Sequence, residues 1–203
     1  GLGLPIVFSW ITGGAFAALA AWGIGKISLG LRSDYLAIAT LGISEIIIYF
    51  LKNEEWMARG VKNVNGLPRP VPYEIDLQQT VWVQELAATF GFSLVELSSI
   101  IVKLSYAGLF IVVLAIVFWL SENALKSPWG RMMRAIRDNE VSANAMGKDI
   151  VKQHLIIFVI GAAIVGVAGA MLVTLDGLFT PSSYRPLRFT FIIWIMVIVG
   201  GSG

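Results

Sequence analysis

The chain has 203 residues, of which 57% are hydrophobic and only 14% are charged. Globular chains carry about 25% charged residues, so this composition excludes an ordinary soluble domain and predicts a surface that largely faces lipid. We attribute the net charge of +2 to membrane orientation rather than to nucleic-acid binding. The absence of cysteine excludes disulfides, thiolate metal sites and cysteine catalysis within these residues.

Four apolar stretches are long enough to cross a bilayer, which requires about 20 residues. In chain order they cover Pro5–Ile27, Tyr35–Leu51, Leu104–Leu120 and His154–Leu175. The second and third are short, so we expect tilting, local thinning or extension into flanking residues. A fifth stretch begins near Phe189 and continues to Gly203. The sequence therefore predicts an all-α, polytopic helical membrane protein, with about five transmembrane helices in a single membrane domain over residues 1–203.

Two of these stretches carry small residues at spacings of three and four. They are Gly14, Ala18, Ala21 and Gly25 in the first stretch and Ala162, Gly166, Ala170 and Thr174 in the fourth. Small residues on one face allow helix backbones to approach closely in lipid. The pattern indicates helix packing, with the shaping of a pore as the alternative.

An ionisable residue, Glu45, lies near the middle of the second stretch. A carboxylate is costly within hydrocarbon and usually faces a cavity or a partner. One interpretation places Glu45 beside a polar translocation path. The other makes it a protonated or hydrogen-bonded carboxyl that joins helices through Thr40 or Ser44. Gly42 offers a point at which the helix can be interrupted, which would turn local carbonyls toward a cavity.

The segment 52–103 is hydrophilic and contains three prolines at alternate positions. Such a segment predicts an irregular, partly helical lobe outside the membrane. If the polar loop 122–153 faces the cytoplasm, counting the spans places this lobe on the extracytoplasmic side. Lys26 and Arg32 then lie inside, as the positive-inside rule requires, whereas two arginines before the fifth stretch do not follow it.

The polar stretch Ser127–Lys152, which we call the docking segment, carries the strongest local signals. Ser127 is predicted to cap a helix whose first residue is Pro128, and Gly147 to end it in a left-handed conformation after Met146. Within it, one side carries the basic stripe Arg131, Arg134 and Arg137, and another side carries Met132, Ile136 and Ala143.

The arginines of the docking segment admit two interpretations. They suit anionic lipid headgroups, as in a basic amphipathic helix. However, Asp138 and Glu140 lie among them, and a lipid anchor has no use for acids that a protein groove can pair. We therefore favour a cytoplasmic coupling helix that docks onto a protein.

Catalytic signals are absent from the sequence. It contains no GxxxxGK[ST] phosphate loop, no GxSxG elbow and no HExxH setting around its single histidine, His154. We therefore predict no enzymatic activity, no cofactor and no metal site.

A family resemblance is carried by four runs: Arg32–Gly42 followed by Glu45-Ile46, Pro128–Gly147, Gly166–Ala170 with Pro181–Ser183 after it, and Val197–Gly203. Together they resemble the branched-chain amino acid ABC transporter permease family of the LivM type. The resemblance implies a permease subunit of an ABC importer in a prokaryotic plasma membrane. It also implies two cytoplasmic ATPase subunits, a second related permease subunit and an extracytoplasmic substrate-binding protein as partners.

The resemblance further assigns residues. It implies that the docking segment couples to the ATPases, through Arg131, Arg134, Ile136, Arg137, Asp138, Glu140, Ala143 and Gly147. Of these, Glu140, Ala143 and Gly147 resemble the E-A-A…G loop of importer permeases, with a spacing one residue longer than the common form. The pathway candidates are Thr40, Gly42 and Glu45.

The substrate stays open at this point. The family's TGGxxGI-like stretch is only partly matched, at Arg59–Leu67. Branched-chain or other hydrophobic amino acids are expected, while related systems move urea, amides or other amino acids. The family's full permease has helices before Leu4 and after Gly203, which agrees with a chain that starts without methionine and ends inside an apolar run. Two other classes remain: a secondary transporter coupled to protons through Glu45, and a membrane scaffold without transport.

Overall fold

A computed structural model describes residues 6–29, 33–54, 64–65, 67, 69–179 and 185–201. Most of these residues are helical, as the sequence predicts. The helices are α1 (Ile6–Ser28), α2 (Ser33–Asn53), α3 (Glu74–Gln78), α4 (Val81–Phe90), α5 (Leu94–Lys126), α6 (Pro128–Asp138), α7 (Glu140–Ala145), α8 (Ile150–Asp176) and α9 (Pro186–Gly200). A short strand β1 (Val64–Asn65) pairs antiparallel with β2 (Leu178–Phe179). The partial TGGxxGI-like match at Arg59–Leu67 lies mostly outside the described residues.

The four predicted membrane spans are confirmed within the described part of the chain. Helices long and apolar enough to cross a membrane cover Ile6–Ser28, Tyr35–Asn53, Leu94–Lys126 and Ile150–Asp176. The predicted fifth stretch forms a shorter apolar helix, Leu187–Gly200. The chain therefore has the predicted architecture of an all-α polytopic membrane protein.

The third span differs most from its prediction, since Leu104–Leu120 is only the middle of α5. The helix begins at Leu94 because Ser93 and Glu96 form a reciprocal capping box there. The Ser93 hydroxyl accepts a hydrogen bond from the Glu96 amide at 3.2 Å, and the Ser93 amide donates to the Glu96 carboxylate at 3.3 Å. A cap fixes a helix start by hydrogen bonding, which hydropathy alone does not reveal.

Gly42 does not interrupt α2, contrary to one of our expectations. The helix runs without a break from Ser33 to Asn53. A single glycine in a helix interior costs about 1 kcal/mol relative to alanine. The backbone hydrogen bonds of the rest of α2 outweigh this cost. No carbonyls are freed at this position.

The chain divides into two compact units, one of residues 1–6 and 68–150 and the other of residues 7–67 and 151–203. In the second unit, α1 and α8 pack antiparallel and very closely. A Cβ built on Gly166 would lie 2.5 Å from the Ala17 Cβ and 3.1 Å from the Gly14 Cα. At the other end of α1, a Cβ on Gly25 would meet the Leu155 side chain at 2.5 Å. Of the predicted small faces, Gly14, Gly25, Gly166 and Ala170 take part in this close packing, together with Gly13 and Ala17.

In the first unit, α5 is the central element. Helices α3 and α4 pack against it, and its buried residues include Leu97, Ser98, Val102 and Tyr106. The Gln78 side chain donates to the Ser98 hydroxyl at 3.1 Å. The predicted lobe over residues 52–103 is thus partly helical, and its last residues already belong to α5. Helix α6 contacts α5, and α7 contacts α6.

Candidate functional site: the docking segment

The chain turns from α5 into α6 at Ser127, which caps both helices. Its amide donates to the carbonyls of Asn123 and Ala124 at 3.1 and 3.2 Å, and so ends α5. Its hydroxyl donates to the Ala124 carbonyl at 2.6 Å and accepts from the Gly130 amide at 3.3 Å, and so starts α6. Pro128 occupies the first helical position, as predicted. No flexible linker separates the docking segment from the membrane-crossing helix.

Gly130 allows α6 to lie directly against the end of α5. A Cβ at this position would lie 2.5 Å from the Ala124 carbonyl oxygen and still closer to that of Leu125. Both neighbours are backbone atoms, so they cannot move aside as a flexible side chain would. The Arg131 guanidinium also donates to the Lys126 carbonyl at 3.4 Å. A cation close to the last carbonyls of a helix favours that helix end.

The docking segment is two helices rather than the single helix we predicted. Asn139 leaves the helical conformation, with φ −158° and ψ 99°, and separates α6 from α7. Its side-chain oxygen accepts from the Ser142 amide at 2.9 Å, so Asn139 caps α7. Asparagine favours helix starts because its side chain competes with the backbone hydrogen bonds of a helix interior. This capping signal was present in the sequence, where Asn139 is followed by Glu140, because acidic residues are favoured in the first turn of a helix.

The predicted end of the docking helix at Gly147 is confirmed. Gly147 has φ +76°, in the left-handed region. Its amide donates to the Asn144 carbonyl at 2.9 Å, and the Lys148 amide donates to the Ala143 carbonyl at 3.2 Å. This pair of hydrogen bonds is a Schellman motif, which satisfies carbonyls at a helix end.

Burial separates the predicted coupling residues into two groups. Ile136 and Ala143 are only 1% and 6% exposed, so they hold α6 and α7 in place. The exposed members are Arg131, Arg134, Arg137, Asp138 and Glu140. Arg137 and Asp138 form an ion pair at 3.4 Å with both side chains 68% exposed. An exposed pair of this kind contributes little to stability, so both charges remain accessible to a partner.

Two exposed apolar residues of the docking segment were missed by sequence reasoning. Val141 and Met146 are each 81% exposed. The sequence does not show which side of α7 packs against the protein. The structure buries Ala143, on another side of α7, and so leaves Val141 and Met146 exposed. Apolar anchors surrounded by charged residues are typical of protein interfaces.

The pathway candidates lie in the other compact unit, on α2. The Thr40 hydroxyl donates to the carbonyls of Leu36 and Ala37, and the Ser44 hydroxyl donates to that of Leu41. Both hydroxyls thus donate within their own helix, and neither is hydrogen-bonded to Glu45 in the described part of the chain. Glu45 itself is exposed, and nothing in the described part of the chain forms a hydrogen bond or ion pair with it. Gly42 has open space around it.

No group of three or more histidine, cysteine, aspartate or glutamate side chains that could hold a metal ion occurs among the residues described.

Four membrane-length helices with a capped polar segment at the end of one of them define a multi-pass membrane protein. The sequence family described as the permease component of the branched-chain amino acid transport system matches residues 2–203. The chain belongs to this permease family.

Named relatives agree with the family. The chain is 30% identical over 194 residues to the high-affinity branched-chain amino acid transport system permease protein LivM of Escherichia coli, with 94% of this chain and 44% of the relative covered. It is 29% identical to LivM of Salmonella typhimurium, over the same shares of the two chains. It is 26% identical to the probable branched-chain amino acid transport permease protein LivM of Methanocaldococcus jannaschii, with 92% of this chain and 48% of the relative covered.

The chain thus spans about half the length of the curated relatives it matches. No solved structure gives a significant match.

Proposed function

We propose that the chain is the central part of the permease subunit of an ABC importer in a prokaryotic plasma membrane. The assembly takes up branched-chain or other hydrophobic amino acids. The names of the three relatives support this substrate class. The observation that carries the proposal is the docking segment, whose two capped helices join the end of a membrane-crossing helix without a linker.

The permease performs no chemistry of its own in this proposal. The 203 residues of this chain contain no phosphate-binding loop. In our proposal two separate cytoplasmic ATPase subunits, which the family resemblance implies, supply the energy. When they close, they push on the docking segment, and the corner at Ser127 and Gly130 passes that motion to α5. The coupling energy is the difference between the contacts that the segment makes with the two ATPase states.

The exposed residues of the docking segment suit this contact. Val141 and Met146 are apolar anchors for a groove of the ATPase. Arg131, Arg134 and Glu140 are exposed as well, and in our proposal these charged groups select the partner and orient it. Ile136 and Ala143 act indirectly by holding the two helices together.

Helix α5 supports the proposed membrane orientation. It carries the lobe of residues 52–103 at its first end and the loop 122–153 at its last end, so crossing the bilayer puts them on opposite sides. In our proposal the loop is cytoplasmic and the lobe extracytoplasmic, within one membrane domain over residues 1–203. A substrate-binding protein delivers the amino acid on the lobe side, and a second, related permease subunit completes the pathway.

A proton-coupled secondary transporter is the alternative. It is favoured by Glu45, an exposed carboxylate in the middle of a membrane-length helix. In either case Thr40, Gly42 and Glu45 are our candidates for the polar pathway.

Uptake into proteoliposomes separates the two functions. The full-length permease would be reconstituted with its ATPases and second permease, and labelled leucine uptake measured with ATP on the ATPase side and binding protein on the other. We expect uptake only when ATP and binding protein are both present. Uptake driven by a proton gradient in the absence of ATP would overturn the assignment as an ABC importer. Uptake of urea or an amide without uptake of leucine would overturn the proposed substrate class.

A further inference from the structure

Helix α4 carries an exposed apolar stripe beside the face that it packs against α5. Its buried residues are Val83 and Ala87. Trp82, Leu86 and Phe90, which we call the interfacial stripe, are 49%, 40% and 67% exposed. Residues four apart lie on one face of a helix, so the three form a continuous row.

The other exposed positions of α4 are the polar residues Gln84, Glu85 and Thr89, together with Val81 and Ala88. Gln84 donates to the Gln78 carbonyl at 3.0 Å, and the Thr89 hydroxyl donates to the Glu85 carbonyl at 2.7 Å. Glu85 is the single charged residue of the helix. The interfacial stripe carries no charge that would pair with a charged protein partner, and the polar residues of α4 lie outside the stripe.

The position of α4 is fixed close to the membrane. Gly91, with φ +69°, ends it, and the capping box at Ser93 starts α5 only a few residues later. Between Ile100 and Leu120, α5 contains a single charge. The helical rise from Leu94 to Ile100 is about 9 Å, which is comparable to the headgroup layer of about 5–8 Å on each side of the hydrocarbon.

We propose that the interfacial stripe lies in the headgroup layer of the bilayer, on the side where α5 begins. Helix α5 also carries exposed apolar side chains, among them Val95 and Leu104, which are 66% and 65% exposed. Tryptophan prefers this layer because the layer accepts an apolar ring and hydrates the indole N–H. Phenylalanine and leucine are typical of the apolar face of an interfacial helix. Helix α4 is thus an interfacial amphipathic helix rather than part of a lobe standing in water.

The proposal is tested by measuring depth in the membrane at matched positions of α4. These 203 residues contain no cysteine, so each variant introduces one thiol into the region. Nitroxide labels would be placed at Trp82→Cys, Leu86→Cys and Phe90→Cys, with Gln84→Cys, Glu85→Cys and Ala88→Cys as controls on the polar side. The full-length permease would be reconstituted with its partners in vesicles of neutral lipid, and collision of each label with oxygen and with a water-soluble nickel chelate recorded by electron paramagnetic resonance.

We expect the stripe labels to collide more with oxygen than with the chelate, and the control labels to show the reverse. Equal chelate access on both sides would overturn the proposal, since the stripe would then stand in water. Labels shielded from both reagents would also overturn it and indicate a protein contact. Only variants that retain wild-type complex assembly are compared, and the readout does not depend on whether transport occurs.

Discussion

At the scale of single residues, Gly130 shows how one missing side chain sets the geometry between two helices. The atoms that a Cβ would meet are the carbonyls of Ala124 and Leu125 at the end of α5. Those carbonyls also belong to the corner in which Ser127 caps both helices. Any side chain at position 130 must therefore push α6 away from α5.

We expect Gly130→Ala to destabilise the permease by about 1–3 kcal/mol, the usual range for overpacking a close contact. It should also weaken ATPase co-purification, because the docking segment would move. Thermal unfolding in detergent and pull-down of the complex measure the two effects. Gly108→Ala is the control, since nothing lies within 4 Å of a Cβ at that position of α5. Equal stability of the two variants would contradict the close contact.

The role of Glu45 is also decided at the residue scale. Its side chain is exposed on α2 and has no bond to the neighbouring hydroxyls of Thr40 and Ser44. A neutral amide keeps the hydrogen-bonding shape of a carboxyl, whereas leucine removes it. We expect Glu45→Gln to retain more uptake than Glu45→Leu. Total loss of uptake in both variants would instead favour a titrating carboxyl and the proton-coupled alternative.

At the scale of elements, the antiparallel pair α1 and α8 depends on small residues at the contact. Gly166 of α8 meets Ala17 and the backbone of Gly13 and Gly14. Gly169 of the same helix has open space around it. In lipid, where apolar burial supplies no drive for association, such close backbone contact is what holds two helices together.

We therefore predict that Gly166→Ala lowers the melting temperature, because the methyl group forces the two backbones apart. Gly169→Ala should leave it unchanged or raise it, since alanine is the better helix former. Fluorescence-detected unfolding of the detergent-solubilised permease compares them. A melting temperature for Gly166→Ala equal to that of the control would show that α1 and α8 are not in close contact in the protein.

The docking segment supports a second prediction at this scale. Gly147→Pro cannot adopt φ +76° and loses the amide hydrogen bond to Asn144, so the end of α7 should be lost. Glu140→Lys reverses an exposed charge at the start of the same helix. Both should reduce ATPase co-purification while membrane insertion stays normal. Glu85→Lys, an equal change of charge on α4, serves as control, and normal recovery of the complex with both test variants would count against ATPase docking.

At the scale of the whole molecule, the proposed orientation places the two ends of α5 on opposite sides of the membrane, with the loop 122–153 in the cytoplasm. One thiol at Gln84 and one at Glu140 lie beyond its opposite ends. In intact cells, a membrane-impermeant maleimide should label Gln84→Cys, whereas Glu140→Cys should react only after the cells are opened. Labelling of both positions in intact cells would contradict the crossing, and the reverse pattern would invert the orientation.

The sequence by itself determined the parts of the molecule that depend on local interactions. Hydropathy located the four membrane spans, because a bilayer requires a run of apolar residues whatever the neighbouring helices are. Ser127, Pro128 and Gly147 marked their helix boundaries, since a cap is a hydrogen bond or a dihedral angle within a few residues. Asn139 belongs to the same class, and its capping signal was present in the sequence although we expected one continuous helix.

The tertiary structure alone decided which residues are covered and which are left facing outward. Composition does not distinguish Ile136, which is buried, from Val141 and Met146, which are exposed, because burial depends on the element that packs alongside. The same holds for Gly130 and for Trp82 on α4. Position 130 excludes a side chain only because the end of α5 lies directly against it. Segment 52–103 is hydrophilic as a whole, although it contains the apolar helix α4. The fold buries one face of α4 against α5 and leaves the interfacial stripe outside that contact.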